Sequence, residues 1–263
     1  TAFYKNIERY LAKKSTRIIA ISEKQKEELT YIHKICKPEK VSIVPLGFDL
    51  SKFQENQALK RNQFREKYNL ADDEIAISII GRLVPVKNHT LFLEGIKSAS
   101  EKSRKKIRAF IIGDGESRTA IEEKAKALGI PFADASQAND KQLLTFTSWI
   151  KDIDIALAGS DIIALTSFNE GTPVSLIEAQ AANKAIVSTN VGGIENVVLP
   201  NETALLCNNN NNEEFSNQLL QLIEDDKLRN SMATKGWMHV KEKFHYTRLV
   251  ADMEQLYHQA LKK

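Results

Sequence analysis

The chain has 263 residues, 42% of them hydrophobic and 27% charged, which is typical of a globular protein with enough apolar material for a sizeable core. Its 37 basic and 34 acidic residues give a net charge of +3, and this near balance argues against a dedicated nucleic-acid binder. The two cysteines, Cys36 and Cys207, lack metal-ligand spacing, and no apolar run reaches the roughly 20 residues that span a bilayer. These features predict one large or two modest domains in a reducing compartment.

Short β-branched runs alternate with helix-prone stretches along most of the chain. The strand candidates are, in chain order, 17–21, 41–45, 75–80, 107–112, 143–149, 161–166, 185–189 and 203–207. The main helix candidates are 22–35, 89–99, 117–128, 153–158, 174–182, 213–224, 227–244 and 246–261. Nearly continuous apolar strands separated by helices indicate a parallel sheet covered on both faces, so we predict an α/β fold with a doubly wound parallel sheet.

Glycines and polar residues follow directly after five of these strands. Because the carboxyl ends of parallel strands meet at one edge of a sheet, the five loops are predicted to line a single cleft. The loop residues concerned are Gly81, Arg82 and Lys87, then Gly113 and Gly115, then Trp149 and Ile150, then 167–174, and finally 190–193.

The loop 167–174 predicts an anion site of its own. Thr172 is expected to be the N-cap of the next helix, and Pro173 suits the first helical position because its missing N–H is not needed there. The free N–H groups and partial positive charge of the helix start attract an anion. Arg82 and Lys87 add full positive charges, so we expect a diphosphate to bind here.

Two carboxylates, Glu170 and Glu178, need a different role, because they would repel a phosphate at close range. Placed further out, carboxylates accept hydrogen bonds from vicinal hydroxyl groups, as acidic residues do with ribose in dinucleotide sites. Glu178 lies in a largely apolar helix, where an unpaired carboxylate would be costly to bury. We therefore expect the two carboxylates to flank the diphosphate, one toward a sugar and the other toward a ribose.

At this point the residues resemble those of a known family, the retaining glycosyltransferases of family 4 (glycosyl transferases group 1), which have the GT-B fold of two facing Rossmann-like domains. The family hallmark, two Glu residues separated by seven positions, stands here as EGTPVSLIE. The flanking segments IIGRLVPVKN, FIIGDGE and FTSWIKDI occur in the family's order, and the similarity extends over essentially the whole chain.

The resemblance implies a role for each site residue. Arg82 and Lys87 would bind the donor diphosphate and stabilise the departing nucleotide, while Glu170 would hold hydroxyls of the transferred sugar. Glu178 would hold the ribose. Backbone groups would make the remaining donor contacts at Gly81, Gly113 and Gly115, at Trp149 and Ile150 for the base, and at Gly171, Thr172, Pro173 and Val174 for sugar and phosphate.

By the same resemblance, residues 47–245 would form the donor-binding domain. Residues 1–46 would be the C-terminal remnant of the N-terminal, acceptor-side domain with its linker, and 246–263 the terminal helix that returns to that domain. The family's N-terminal glycine-rich loop and its acceptor-side His or Asp have no counterpart here. We therefore expect much of the first domain to be missing.

The implied activity is transfer of a sugar from a UDP- or GDP-sugar donor to a glycan or lipid-linked acceptor, with retention, in polysaccharide or glycolipid synthesis. The implied location is the cytoplasm or the inner membrane face, with peripheral membrane association through the missing N-terminal domain, and nucleic acid is not an expected partner. No cofactor or metal is expected. The pair Asp152 and Asp154 superficially resembles a metal-binding motif but falls at a helix start, where helix capping accounts for acidic residues.

Two alternatives stay open at this stage. A nucleotide-sugar 2-epimerase shares the fold, but it would need further acid–base carboxylates and a His in the cleft, where only His89 is near the predicted edge. A donor-binding module that is inactive by itself is the second alternative, because the acceptor half has no counterpart.

Overall fold

The computed structural model describes residues 2–135 and 141–261, which fall into two compact units. One unit comprises the described parts of Thr1–Leu50 and Lys241–Lys263, and the other is Ser51–Val240. Assigning them to acceptor-side and donor-binding domains stays a prediction.

The strands β1–β9 form two parallel sheets. β1 and β2 pair with each other in the first unit, and the other seven form one parallel sheet in the order β5-β6-β4-β3-β7-β8-β9. This confirms the predicted parallel α/β fold. The strands are Ile18–Ala20, Val41–Ile43, Glu74–Ile80, Lys106–Ile112, Phe132–Asp134, Leu144–Ser148, Ile162–Leu165, Ala185–Thr189 and Ala204–Cys207.

The helices α1–α10 are Ala2–Lys14, Glu23–Glu27, Gln57–Lys67, His89–Lys102, Arg118–Ala127, Ile153–Gly159, Val174–Ala181, Asn212–Glu224, Asp226–Phe244 and Tyr246–Leu261. A π-helical turn continues α2 over Glu28–Ile32, and short 3-10 helices occupy Pro38–Lys40, Ser51–Phe53, Pro85–Lys87 and Ile194–Asn196. The eight predicted strands and the main predicted helices are present. The sequence analysis missed β5 and α3.

The seven-stranded sheet is covered on both faces, because successive side chains of a strand point to opposite sides. On one face, Ile77 and Ile79 of β3 pack in a core that includes residues of α4, α5 and α8. On the other, Phe110 of β4 packs against Phe64 of α3, with ring centroids 5.2 Å apart. This two-sided burial explains why the central strands read as continuous apolar runs.

In the first unit, the last helix is fastened to the segment after β2. The Arg248 guanidinium donates to the carbonyl oxygens of Pro45 and Leu46 at 2.6 and 2.7 Å. A side chain on Gly47 would collide with Leu249, which shows how closely α10 passes this segment. Among the described residues, no helix is both long and apolar enough to cross a membrane.

Candidate functional site

The loops that follow β3, β4, β6, β7 and β8 are joined by backbone hydrogen bonds at the carboxyl edge of the sheet. They therefore form one continuous surface, and each loop fixes its neighbour. The bonds run from Gly81 N to Ile112 O (3.0 Å), Leu83 N to Asp114 O (3.0 Å), Gly113 N to Ser148 O (3.0 Å), Phe168 N to Val86 O (2.8 Å) and Gly193 N to Glu170 O (2.9 Å).

Positions 113 and 115 have to be glycine, because the backbone of the neighbouring loop lies too close to leave room for a side chain. A Cβ on Gly113, whose φ is +144°, would lie 1.9 Å from the carbonyl oxygen of Gly81. A Cβ on Gly115 would lie 2.5 Å from that of Leu83. The two glycines thus let the β3 and β4 loops touch, and their expected approach to a nucleotide stays a prediction.

The expected capping of α7 is wrong by one residue. Pro173, not Thr172, is the N-cap, and the helix begins at Val174, because the ψ angle of Pro173 (93°) is still extended. No side chain caps this helix start. Its first N–H groups therefore keep their capacity to bind an anion.

Lys87 and Glu170 form an ion pair at the centre of this edge. Lys87 Nζ lies 2.6 Å from Glu170 Oε1, and the same oxygen accepts a hydrogen bond of 2.6 Å from the Ser167 hydroxyl. The Glu170 side chain is 11% exposed and that of Lys87 is 23% exposed. Sequence reasoning placed both residues at this edge but assigned them to different groups of a donor, and did not foresee their pairing.

Arg82 contrasts with Lys87 because its side chain extends into solvent. It is 69% exposed and lies 3.7 Å from the equally exposed Glu116, a geometry that contributes little energy in water. Its guanidinium is therefore available to a ligand at small cost.

Glu178 lies on α7, one turn beyond the helix start, and is partly buried. Burial raises the pKa of its carboxyl above the ordinary value, and the positive charge of Lys52 offsets part of this increase. Within the described part of the chain its carboxylate has no hydrogen-bond partner. A carboxylate in this position gains by accepting hydrogen bonds from a ligand.

Trp149 and Ile150 follow β6, where Ser148 adopts a left-handed backbone conformation with φ of +53°. Trp149 is 60% exposed, whereas Ile150 packs against the core cluster that contains Phe64. The Ser148 hydroxyl accepts a hydrogen bond of 2.8 Å from Arg118, which stabilises this turn. The predicted contact of this backbone with a base is untested.

His89, which the epimerase alternative would require as an acid–base group, is only 4% exposed at the start of α4. Burial and the charge of Lys87 lower its pKa to about 4. It is a packed, neutral residue near pH 7. At Asp152 and Asp154 the second carboxylate pairs with Lys60 at 2.8 Å, and within residues 2–135 and 141–261 no His, Cys, Asp or Glu cluster suits a metal ion.

Sequence reasoning placed Gly192 and Gly193 at this edge but did not foresee that they, together with two threonine hydroxyls, hold the Glu170 loop. A Cβ on Gly192 or Gly193 would lie 1.9 Å from Glu170 O or 1.8 Å from Gly171 O, so only glycine fits. The hydroxyls of Thr166 and Thr189 donate to the carbonyl oxygens of Lys87 and Ser167 at 3.0 and 2.7 Å. The sequence does contain a glycine pair and hydroxyl residues at the strand ends, which are the signals of such contacts. Their partners could not be identified because they are distant in sequence.

Comparison with known proteins identifies the family to which the chain belongs. Residues 60–237, which include every predicted donor-site residue, match the family described as glycosyl transferases group 1. The chain belongs to this family.

Two curated relatives extend the similarity beyond that region. The UDP-Gal:alpha-D-GlcNAc-diphosphoundecaprenol alpha-1,3-galactosyltransferase of Escherichia coli is 29% identical over 257 residues, which is 97% of this chain and 63% of the relative. The capsular polysaccharide biosynthesis glycosyltransferase CapM of Staphylococcus aureus is 24% identical over 250 residues, which is 95% of this chain and 63% of the relative. This chain thus spans less than two thirds of the length of these relatives.

The fold also matches solved glycosyltransferases of the GT-B class. The crystal structure of Anabaena Alr3699/HepE in complex with UDP superposes with a TM-score of 0.82 at 17% identity, covering 97% of this chain and 68% of that one. At this identity the match establishes the shared fold alone.

Proposed function

We propose that the carboxyl edge of the seven-stranded sheet binds a nucleotide-sugar. On this proposal the protein is a retaining glycosyltransferase of family 4 that transfers a sugar from a UDP- or GDP-sugar to a glycan or lipid-linked acceptor. The single observation that carries the proposal is the uncapped start of α7 beside the Lys87–Glu170 pair. Family membership supports the reaction class.

The diphosphate would bind at the start of α7. The N–H groups of the first helical turn have no side-chain cap, and the helix dipole adds partial positive charge there. Lys87 is close, since its partner Glu170 lies four residues before the helix. Arg82 supplies a second, solvent-exposed cation that can close onto phosphate oxygens.

The two carboxylates would divide the remaining recognition. Glu170 is anchored through one oxygen and would accept hydrogen bonds from the sugar through the other. The partly buried carboxylate of Glu178 on α7 would accept hydrogen bonds from the ribose hydroxyls. Both roles use carboxylates as acceptors for neutral hydroxyl groups.

Bond cleavage at the anomeric carbon leaves a nucleoside diphosphate with increased negative charge. Lys87, Arg82 and the start of α7 would stabilise this leaving group electrostatically, which is why we propose transfer without a metal. The sugar would stay on the Glu170 side of the site. Retention of configuration is part of the proposal and rests on the resemblance to family 4.

The acceptor side is proposed from the relatives. The E. coli relative is named for a diphosphoundecaprenol-linked acceptor and the S. aureus relative for capsular polysaccharide synthesis. We propose that the acceptor is a glycan or a lipid-linked sugar used in the synthesis of cell-surface polysaccharide or glycolipid. The protein would bind this acceptor at the inner face of the membrane. The buried His89 gives the epimerase alternative no support.

Titration calorimetry with UDP and GDP, and then with their sugar conjugates, tests the donor site. Glu178→Ala should weaken binding of free nucleotide, whereas Glu170→Ala should mainly reduce discrimination among sugars. Arg82→Ala should weaken diphosphate affinity by about 1.5–3 kcal/mol, the range for charge-assisted hydrogen bonds. Equal losses of free-nucleotide affinity in Glu170→Ala and Glu178→Ala would refute the division of roles.

Product analysis with radiolabelled donors tests the reaction. Transfer of label to a lipid or glycan acceptor supports the proposal, an epimerised donor would overturn it, and binding without turnover identifies a donor-binding module. Asp73→Ala is a suitable control, because this exposed residue pairs with Lys106 at the opposite end of β4. It should bind donor like the unaltered chain.

A further inference from the structure

Glu170 is held through one of its two oxygens. Oε1 accepts from both Lys87 Nζ and the Ser167 hydroxyl, each at 2.6 Å. Within the described part of the chain, no hydrogen-bond partner exists for Oε2. The carboxylate therefore has an anchored oxygen and one that a ligand can use.

The two donors differ in mobility. Lys87 reaches Glu170 with a long side chain that can adopt other rotamers, and it is 23% exposed. Ser167 is fully buried at the end of β7, where its carbonyl oxygen accepts from the Thr189 hydroxyl at 2.7 Å. Its hydroxyl can therefore move little relative to the sheet.

A bound diphosphate would compete with Glu170 for Lys87. An ammonium group within reach of several phosphate oxygens has a stronger partner than one carboxylate oxygen, so Lys87 would turn toward the diphosphate. Glu170 would then lose one of its two donors at the moment when it has to hold the sugar. Only the Ser167 bond would remain on Oε1.

We propose that Ser167 is a positioning residue that keeps Glu170 in place when Lys87 transfers from Glu170 to the donor diphosphate. The Ser167 hydroxyl fixes Oε1, so that Oε2 faces the sugar throughout. This inference rests on the proposed function and adds a residue to it. The backbone bonds at either side of the loop, Phe168 N to Val86 O and Gly193 N to Glu170 O, leave the loop little freedom to compensate for a lost hydroxyl.

The effect is measured as the gain in affinity that the sugar gives, which is the Kd of free nucleotide divided by the Kd of nucleotide-sugar. Calorimetry with UDP, GDP and their glucose, galactose, mannose and N-acetylglucosamine conjugates identifies the best donor for the unaltered chain. With that donor, Ser167→Ala should reduce the gain about tenfold, the effect of losing a hydrogen bond to a charged group, while free-nucleotide affinity changes little. Ser167→Thr, which retains the hydroxyl, should restore the gain.

Ser78→Ala is the matched control. Ser78 is also fully buried in the sheet, and its hydroxyl lies 2.7 Å from that of Ser160, which has a second partner in the Ala156 carbonyl oxygen. This variant should lower the unfolding temperature about as much as Ser167→Ala and leave the sugar gain unchanged. If Ser167→Thr does not fold, Ser167→Cys replaces it and should behave like Ala, because a thiol is a weak donor of similar size.

The outcomes separate the two proposals. An unchanged sugar gain in Ser167→Ala, or an equal loss for nucleotide and nucleotide-sugar, would overturn the role of Ser167 and leave the proposed function intact. A chain that binds free nucleotide but gains nothing from any sugar would overturn the sugar-holding role of Glu170 and that of Ser167 with it. A chain that binds none of these ligands would refute the proposed function itself.

Discussion

Gly192→Ala should move the loop that carries Glu170, and the structure allows the effect to be worked out. Gly192 has φ of +59°, and a Cβ built there lies 1.9 Å from the carbonyl oxygen of Glu170. Real Cβ atoms essentially never come closer than 3.0 Å. The loop therefore has to shift by about 1 Å, since the contact is with backbone and no side chain can turn away.

The expected cost has two parts. A left-handed backbone costs an L-residue about 1–2 kcal/mol, and forcing atoms into a packed contact costs about 1–3 kcal/mol more. Gly129→Ala isolates the first part, because its φ is +64° and nothing lies within 4 Å of its Cβ. We expect a loss in the free energy of unfolding of about 2–5 kcal/mol for Gly192→Ala and about 1–2 kcal/mol for Gly129→Ala.

Urea unfolding and calorimetry measure the two consequences together. A shift of this size breaks the 2.6 Å bonds of Glu170 with Lys87 and Ser167, so nucleotide-sugar binding by Gly192→Ala should weaken about 10- to 100-fold. Gly129→Ala should bind normally. Equal destabilisation of the two variants, with donor binding intact in both, would show that the loop tolerates the displacement and would refute the reasoning.

Two basic side chains with lowered pKa values, the half-buried Lys184 and the buried His89, give predictions of pH dependence. Burial lowers the pKa of Lys184 to about 8 against its ordinary 10.5, so between these pH values the unfolded chain binds more protons and stability should rise with pH. Lys184→Met should flatten that part of the urea-unfolding profile, and an identical slope in both proteins would contradict the assignment. For His89, whose pKa is about 4 against an ordinary 6.5, the unfolding free energy should fall as pH falls from 6.5 to 4. His89→Gln should lose this component in unfolding at pH 7, 5 and 4, and a variant with unchanged pH dependence would contradict it.

The fold could be predicted well because its strands are long apolar runs that are buried on both faces. The two missed elements lack that signal. Helix α3 is mostly polar, and Phe64 is its one apolar residue in the core. Strand β5 (Phe132–Asp134) has no β-branched residue and ends in Asp. Their place depends on tertiary contacts, which a local pattern does not contain.

At the candidate site, sequence reasoning located the edge but not its contacts. The strand ends placed Lys87 and Glu170 together, yet their pairing depends on side-chain rotamers of residues 83 positions apart. The predicted start of α7 differs from the observed one by one residue, because Pro173 fits either the N-cap or the first helical position. Ser167 and Gly192 were not singled out because their functions lie in contacts with Glu170 that only the folded loops create.

The backbone bonds between the edge loops have a consequence for how such a site can diversify. At Gly113, Gly192 and Gly193 the backbone of one loop contacts the backbone of its neighbour directly. The backbone conformation of this edge therefore does not depend on side chains that lie outside these contacts. Asn169 is exposed and Thr172 half-buried on the same loop as Glu170. Exchange of these two side chains should therefore leave the backbone contacts between the loops intact, so that on the proposed function the sugar preference can change while the diphosphate site is kept.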